Sequence, residues 1–260
     1  MYLRWAYKEV TNTVQLVKHP GDNRIDSMGR EHVRVFPTRS VYYMDPFLLL
    51  DHFAIEKPMG FPDHPHRGFE IITYVLHGVL AHEDSAGHAS AIQTLGVQKV
   101  TAGKGIVHSE MPGTDGIDSG LQLWINLPRA EKGVDPEYQE FLPNELPVTA
   151  SEGVKIRHIA GGSSPVRVRR PMVYQDVELS AGIEHPLQVP PGHQAFMYVL
   201  SGSGWLGTDR LPAATGDLFQ WTPADEAAAI PVFSDRGLRL AFAAGEPVGE
   251  RPVFNGPFVD

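Results

Sequence analysis

Short runs of apolar residues recur along this chain, each closed by a turn signal, while amphipathic helical periodicity is scarce. Ile71-Ile72-Thr73-Tyr74-Val75-Leu76 stops at His77-Gly78, and Leu121-Gln122-Leu123-Trp124-Ile125-Asn126-Leu127 stops at Pro128. Phe196-Met197-Tyr198-Val199-Leu200 stops at Ser201-Gly202. Runs of β-branched and aromatic residues between Gly and Pro punctuation predict strands. The best helical segments are short, over residues 128–133 and 224–229.

Two of these strands look like copies. Tyr74-Val75-Leu76-His77-Gly78 and Tyr198-Val199-Leu200-Ser201-Gly202 lie 124 residues apart in a chain of 260. An offset near half the chain argues for a duplicated barrel. Pro143, Pro147 and Gly161-Gly162-Ser163-Ser164-Pro165 interrupt the strand pattern over residues 141–165, where the join is expected. The expected architecture is all-β, two barrels in tandem over residues 1–141 and 142–260.

Composition supports that picture and narrows the chemistry. Glycine and proline number 26 and 22, about 18% of the chain against an ordinary share of about 12%, as many tight turns require. Hydrophobic residues at 42% suffice for a core. The absence of cysteine excludes disulfides, thiolate zinc sites, iron–sulfur clusters and a cysteine nucleophile. Histidine and carboxylate remain as the strong metal ligands. A net charge of −9 argues against direct nucleic-acid binding. No apolar run has the length of a signal peptide or membrane span, so a cytoplasmic protein is expected.

His64-Pro65-His66 places two imidazoles on one face of an extended chain, within reach of a common ion. Pro65 favours extension at His64 and suits a strand edge or barrel mouth. His108-Ser109-Glu110 repeats the spacing with one imidazole and one carboxylate, after the turn Ala102-Gly103-Lys104-Gly105. Two strands of one barrel would then present three histidines and a glutamate to a shared interior. Such a set leaves room for exogenous ligands and suits Fe(II), Mn, Ni or Cu better than a closed zinc site. The competing reading is two unrelated surface pairs.

Phe61-Pro62-Asp63-His64-Pro65-His66-Arg67-Gly68-Phe69-Glu70 resembles the signature of the pirin family, within the cupin superfamily. So do Ala81-His82-Glu83-Asp84-Ser85-Ala86-Gly87-His88 and the stretch from Thr101-Ala102-Gly103-Lys104 to Val107-His108-Ser109-Glu110-Met111-Pro112. Gly120-Leu121-Gln122-Leu123-Trp124 and the terminal Asn255-Gly256-Pro257-Phe258-Val259 fit as well. The resemblance implies two jelly-roll-like cupin barrels, with one mononuclear metal in the first only. The ion implied is usually Fe(II), with Mn, Ni, Cu, Co or Zn as alternatives. The family's ligands fall on His64, His66, His108 and Glu110. Glu70 holds the place of the carboxylate in the general cupin pattern and ranks second. The repeat offset sets Gln188 and Pro190, neither of them an imidazole, opposite His64 and His66.

The chain departs from the pattern at Leu95-Gly96-Val97, at Lys99 in place of an aromatic residue, and at His52 in place of an acidic one. These changes bear on the pocket wall, not the ligands. Gly202-Ser203-Gly204-Trp205-Leu206-Gly207 matches a dinucleotide fingerprint, but no helix is expected after it. Asp84, Ser85 and His88 are read as turn caps, His77, His82 and His88 as rim or loop residues, and Arg167-Val168-Arg169-Arg170 as a solvated or salt-bridged edge.

Two functions follow from the resemblance. One is a metal-dependent dioxygenase of the quercetin 2,3-dioxygenase type, taking a flavonoid or other small aromatic substrate plus O2 and releasing carbon monoxide, with Glu110 as ligand or general base. The other is a redox-responsive iron module that docks on a transcription factor or metabolic enzyme.

Overall fold

The apolar runs form strands because alternate residues find apolar cover on two sides. Ile71–Leu76 falls inside the strand Phe69–His77, Leu121–Asn126 inside Asp118–Asn126, and Phe196–Leu200 inside Gln194–Leu206. The computed structural model describes residues 16–19, 22–25 and 31–260. Their one helical element is a 3-10 turn, Arg129–Glu131, within the first predicted helical segment. The second, over 224–229, is not helical: bends there run directly into the strand Ala228–Gly245. Three consecutive alanines raise helix propensity, but pairing with Gln188 and Val189 holds Ala228 and Ala229 extended. Among the described residues no helix is long and apolar enough to cross a membrane.

The first barrel has two walls. A seven-stranded antiparallel sheet carries Phe69–His77 and Asp118–Asn126 side by side at its centre, flanked by Val97–Thr101 and Phe47–Ile55. A four-stranded sheet faces it, in the order Phe61–His66, Ile106–Pro112, Val79–Asp84, Ala89–Gln93. In the second barrel both walls merge into one nine-stranded sheet, because Gln194–Leu206 and Ala228–Gly245 run long enough to bend from one wall into the other. The bend sits at register shifts after Val199 and Gly202. A side chain at Gly202 or Gly204 would meet the Gly237 or Phe233 carbonyl at 1.9 Å, so the corner needs glycine. The glycine-rich run that mimics a dinucleotide fingerprint is therefore a strand corner.

Two expectations change. The interruption of the strand pattern expected over 141–165 is partial, since Val148–Ser151 and Val154–Ala160 extend the nine-stranded sheet. Leu16–His19 also pairs with that sheet, along Leu218–Trp221. In addition, Gln188 is exposed and Pro190 lies beyond its strand, so neither occupies a ligand position. The inward residues are Leu187 and Val189, paired with Ile230 and Ala228 as His64 and His66 pair with His108 and Ile106. A constant offset misses this because a one-residue slip moves a strand's side chains to the opposite face. The second interior is closed by apolar packing of Val177, Leu187, Val199, Phe219, Val232 and Phe242.

The barrels pack through a shared core. Phe196 meets Phe36 and Phe47 edge-on at centroid distances of 5.4 and 5.1 Å. Around it the duplication shows as approximate two-fold symmetry. Leu121 pairs with both His52 and Tyr74, and Ala241 pairs with both Asp176 and Tyr198. Each tyrosine crosses to the other barrel's partner: the Tyr74 hydroxyl donates to Asp176 at 2.7 Å, and the Tyr198 hydroxyl meets His52 Nδ1 at 3.1 Å. The copies differ in charge, since Arg239 also grips Asp176 through two bonds of 2.9 and 2.7 Å. Tyr74→Phe therefore removes a buried bond to a charged acceptor and costs about 1.5–3 kcal/mol, whereas Tyr198→Phe costs about 0.5–1.5 kcal/mol. Chemical denaturation of the two variants checks the order.

Candidate metal centre

His64 and His66 project from Phe61–His66, and His108 from its neighbour Ile106–Pro112, with His64 directly opposite His108. The three rings converge, with centroids 4.4 Å apart for His64–His108, 4.7 Å for His64–His66 and 5.0 Å for His66–His108. One donor nitrogen from each lies within 4.8 Å of the other two. His64 Nδ1 donates to the Pro62 carbonyl at 2.8 Å, which leaves Nε2 free. His66 and His108 are buried, and neither ring nitrogen of either has a partner at hydrogen-bond geometry. The Pro257 carbonyl, from the C-terminal segment, lies close to His66.

Four orphaned imidazole nitrogens in one buried spot call for compensation, which a cation would supply. Burial, reinforced by the neighbouring imidazoles, pushes His66 and His108 down to about 3. Both are neutral at pH 7, the protonation state that binds metal. The donor set therefore fits an ion.

Glu110 is also buried, but its nearest grouping differs from the expected one. A carboxylate oxygen lies within 4.8 Å of donor nitrogens on His108 and His82, and Glu110 does not belong to the His64–His66–His108 group. Its Oε1 accepts from Gln98 Nε2 and from Thr73 Oγ1 at 3.2 Å, and its Oε2 from Gln122 Nε2 at 2.7 Å. Gln122 is held in turn by Trp124 Nε1, at 3.0 Å. These donors fix the orientation of the carboxylate.

His82 is not a rim residue. Its side chain is fully buried, opposite Glu110 on the adjacent strand, with Nε2 donating to Asp84 at 3.3 Å and Nδ1 unpartnered. Tyr138 stacks on the ring at 4.8 Å. The sequence signal was its two-residue spacing from Asp84, but the strand opposite decides whether that face looks inward. His77 and His88 do lie at the periphery, and Asp84 caps its turn through the amides of Ala86 and His88. Burial opposes charge on Asp84, yet hydrogen bonds from His88, His82 and Ala86 hold its carboxyl below the usual range.

Glu70, ranked second as a ligand, is fully engaged elsewhere. Its oxygens take Lys99 Nζ, Thr101 Oγ1 at 3.0 Å and the Arg169 amide at 2.9 Å. Lys99, in place of an aromatic residue, is thus the buried counter-ion of Glu70. Arg169 and Arg170 form ion pairs with Glu131, Glu137 and Glu246, as expected of a salt-bridged edge.

Beside the imidazoles stands an aromatic wall. Trp124 stacks on Phe69 at 4.2 Å and lies 4.9 Å from the His66 ring. It lines a cavity of about 420 Å³ with Arg34, Leu49, Tyr42, Phe254 and Pro257. A cavity of that volume, with a largely apolar lining, has the size of a small-molecule site.

Without metal, the unfolded chain binds protons at histidine near pH 6.5, while His66 and His108 resist them down to about 3 when folded. Stability of metal-free protein is therefore full above about pH 6.5 and falls as the pH drops toward 3. Denaturant midpoints measured across that range check this, and bound metal delays the fall.

The Pirin family matches residues 29–125, and the Pirin C-terminal cupin domain matches residues 174–260. A pirin-like protein of Solanum lycopersicum is 42% identical over 220 residues, covering 83% of this chain and 76% of the relative. A solved protein of Geobacillus kaustophilus superposes with a TM-score of 0.85 at 32% identity, over 92% of this chain and 99% of that one. A quercetin 2,3-dioxygenase of Acinetobacter baumannii gives a TM-score of 0.85 at 27% identity, over 94% and 90%.

Proposed function

The chain belongs to the pirin family, and from that premise we propose that it is a cytoplasmic, metal-dependent dioxygenase of flavonols such as quercetin. The observation that carries this is the buried imidazole cluster with orphaned nitrogens, set beside an aromatic cavity. The structural likeness to a quercetin 2,3-dioxygenase supports it. The metal centre belongs to a first domain of residues 1–141, followed by a second of 142–260, and is built on His64, His66, His108 and Glu110. Fe(II) is the ion proposed, with Mn, Ni, Cu, Co or Zn as the other candidates for a nitrogen–oxygen donor set. When bound, the ion supplies Lewis acidity and an electron path to a chelating hydroxy-keto group.

The chain's own residues do the rest. Trp124, stacked on Phe69, gives a flat aromatic group a surface beside His66. Glu110 is held by Gln98, Thr73 and Gln122, and its carboxylate either stays a ligand or leaves the ion to take the substrate hydroxyl proton as general base. Leu49 and Phe254 give the cavity beside Trp124 an apolar lining for such a group. A docking role on a protein partner would suit a plugged pocket, and the open cavity favours the enzyme.

Aerobic incubation of metal-loaded protein with quercetin should consume O2 and release carbon monoxide. Glu110→Gln should lower kcat by about 10²–10⁴-fold, the usual contribution of a general base. No product with any of the six metals would exclude the activity.

A further inference from the structure

The donor atoms in the first barrel form two groups, His64–His66–His108 and His82–His108–Glu110, and His108 belongs to both. We propose that the second group is a metal seat in its own right, with His82 as an additional ligand of this centre. The proposal rests on the metal-binding part of the function above and goes beyond its four ligands.

Four observations support His82. First, it is fully buried with Nδ1 unpartnered, as expected of an imidazole waiting for a cation. Second, its other nitrogen donates to Asp84, and a carboxylate behind a histidine fixes the tautomer and ring orientation that a metal ligand needs. Third, the Asp84 side chain is shielded from solvent and held by the Ala86 and His88 amides and the His88 ring, while Tyr138 clamps the His82 ring plane by stacking. Fourth, both nitrogens of His108 are unpartnered, so this one ring can serve either seat.

The seats differ in chemistry. One offers three imidazoles, the other two imidazoles and a carboxylate. A neutral imidazole has one lone-pair nitrogen to give, so through the shared His108 the two seats hold one ion between them. The softer all-nitrogen seat and the harder mixed seat give the centre two ligand fields for the same metal.

Cobalt(II) titration, followed by its visible absorption, tests this. Wild-type protein should bind one equivalent. His64→Ala/His66→Ala dismantles the first seat and should still bind one equivalent, with a changed spectrum. Adding His82→Ala should abolish that binding, and adding Asp84→Asn instead should weaken it by about 10–100-fold. If the double variant is folded but binds no cobalt, or if His82→Ala leaves its binding unchanged, the second seat does not exist. If wild-type protein itself binds no cobalt, the metal reading fails instead. Should the double variant not fold, by circular dichroism, NMR of the unmutated protein labelled with 15N-histidine decides. Zinc(II) moves the His82 Nδ1 resonance if the seat is real and leaves it in place otherwise.

Discussion

The central sheet of the first barrel is covered on both faces, and most of the molecule follows from that constraint. Phe69–His77 is buried from Phe69 to Val75, so neither face is left to water. Alternation then assigns each residue to one of two tasks. Thr73 turns inward to Glu110, while Tyr74 turns outward to Asp176 of the other barrel. On the next strand Gln122 faces Glu110, while Leu121 and Leu123 join the core between the barrels. The same strands therefore hold the candidate site and dock the second domain, and a register slip in either would damage both.

Buried charge is compensated almost everywhere in this fold. Glu70 has Lys99, Asp176 has Arg239, and Glu110 has three hydrogen-bond donors. Breaking any of these would leave an uncompensated charge in a low-dielectric interior. His66, His82 and His108 contrast with this economy, since each is buried with a ring nitrogen that meets no partner. Their common location, rather than the histidine count, marks the site.

The second barrel serves the first. Its own interior is packed with aliphatic and aromatic side chains. Its C-terminal segment returns to the first barrel, where Val259 bonds the Arg67 carbonyl and Lys132 Nζ ties Val259 to Gly68 and Asn126. That return brings Pro257 to His66 and Phe254 to the cavity wall. A segment from the far end of the chain thus completes a pocket built on residues near position 64.

Local pattern determined a great deal here. Alternating apolar runs and turn residues fixed the all-β class, the spacing of His64-Pro65-His66 and His108-Ser109-Glu110 put each pair on one strand face, and the repeated Tyr-Val-Leu strand announced the duplication. These are properties of neighbouring residues, so sequence carries them. What depended on partners distant in the chain was decided only on folding. Strand pairing buried His82 opposite Glu110 and drew Glu70 to Lys99, and it set Leu187 and Val189, not Gln188 and Pro190, in the second interior. Burial and hydrogen-bond satisfaction belong to the whole assembly, so which carboxylate is spent and which imidazole is left waiting can be read only in three dimensions.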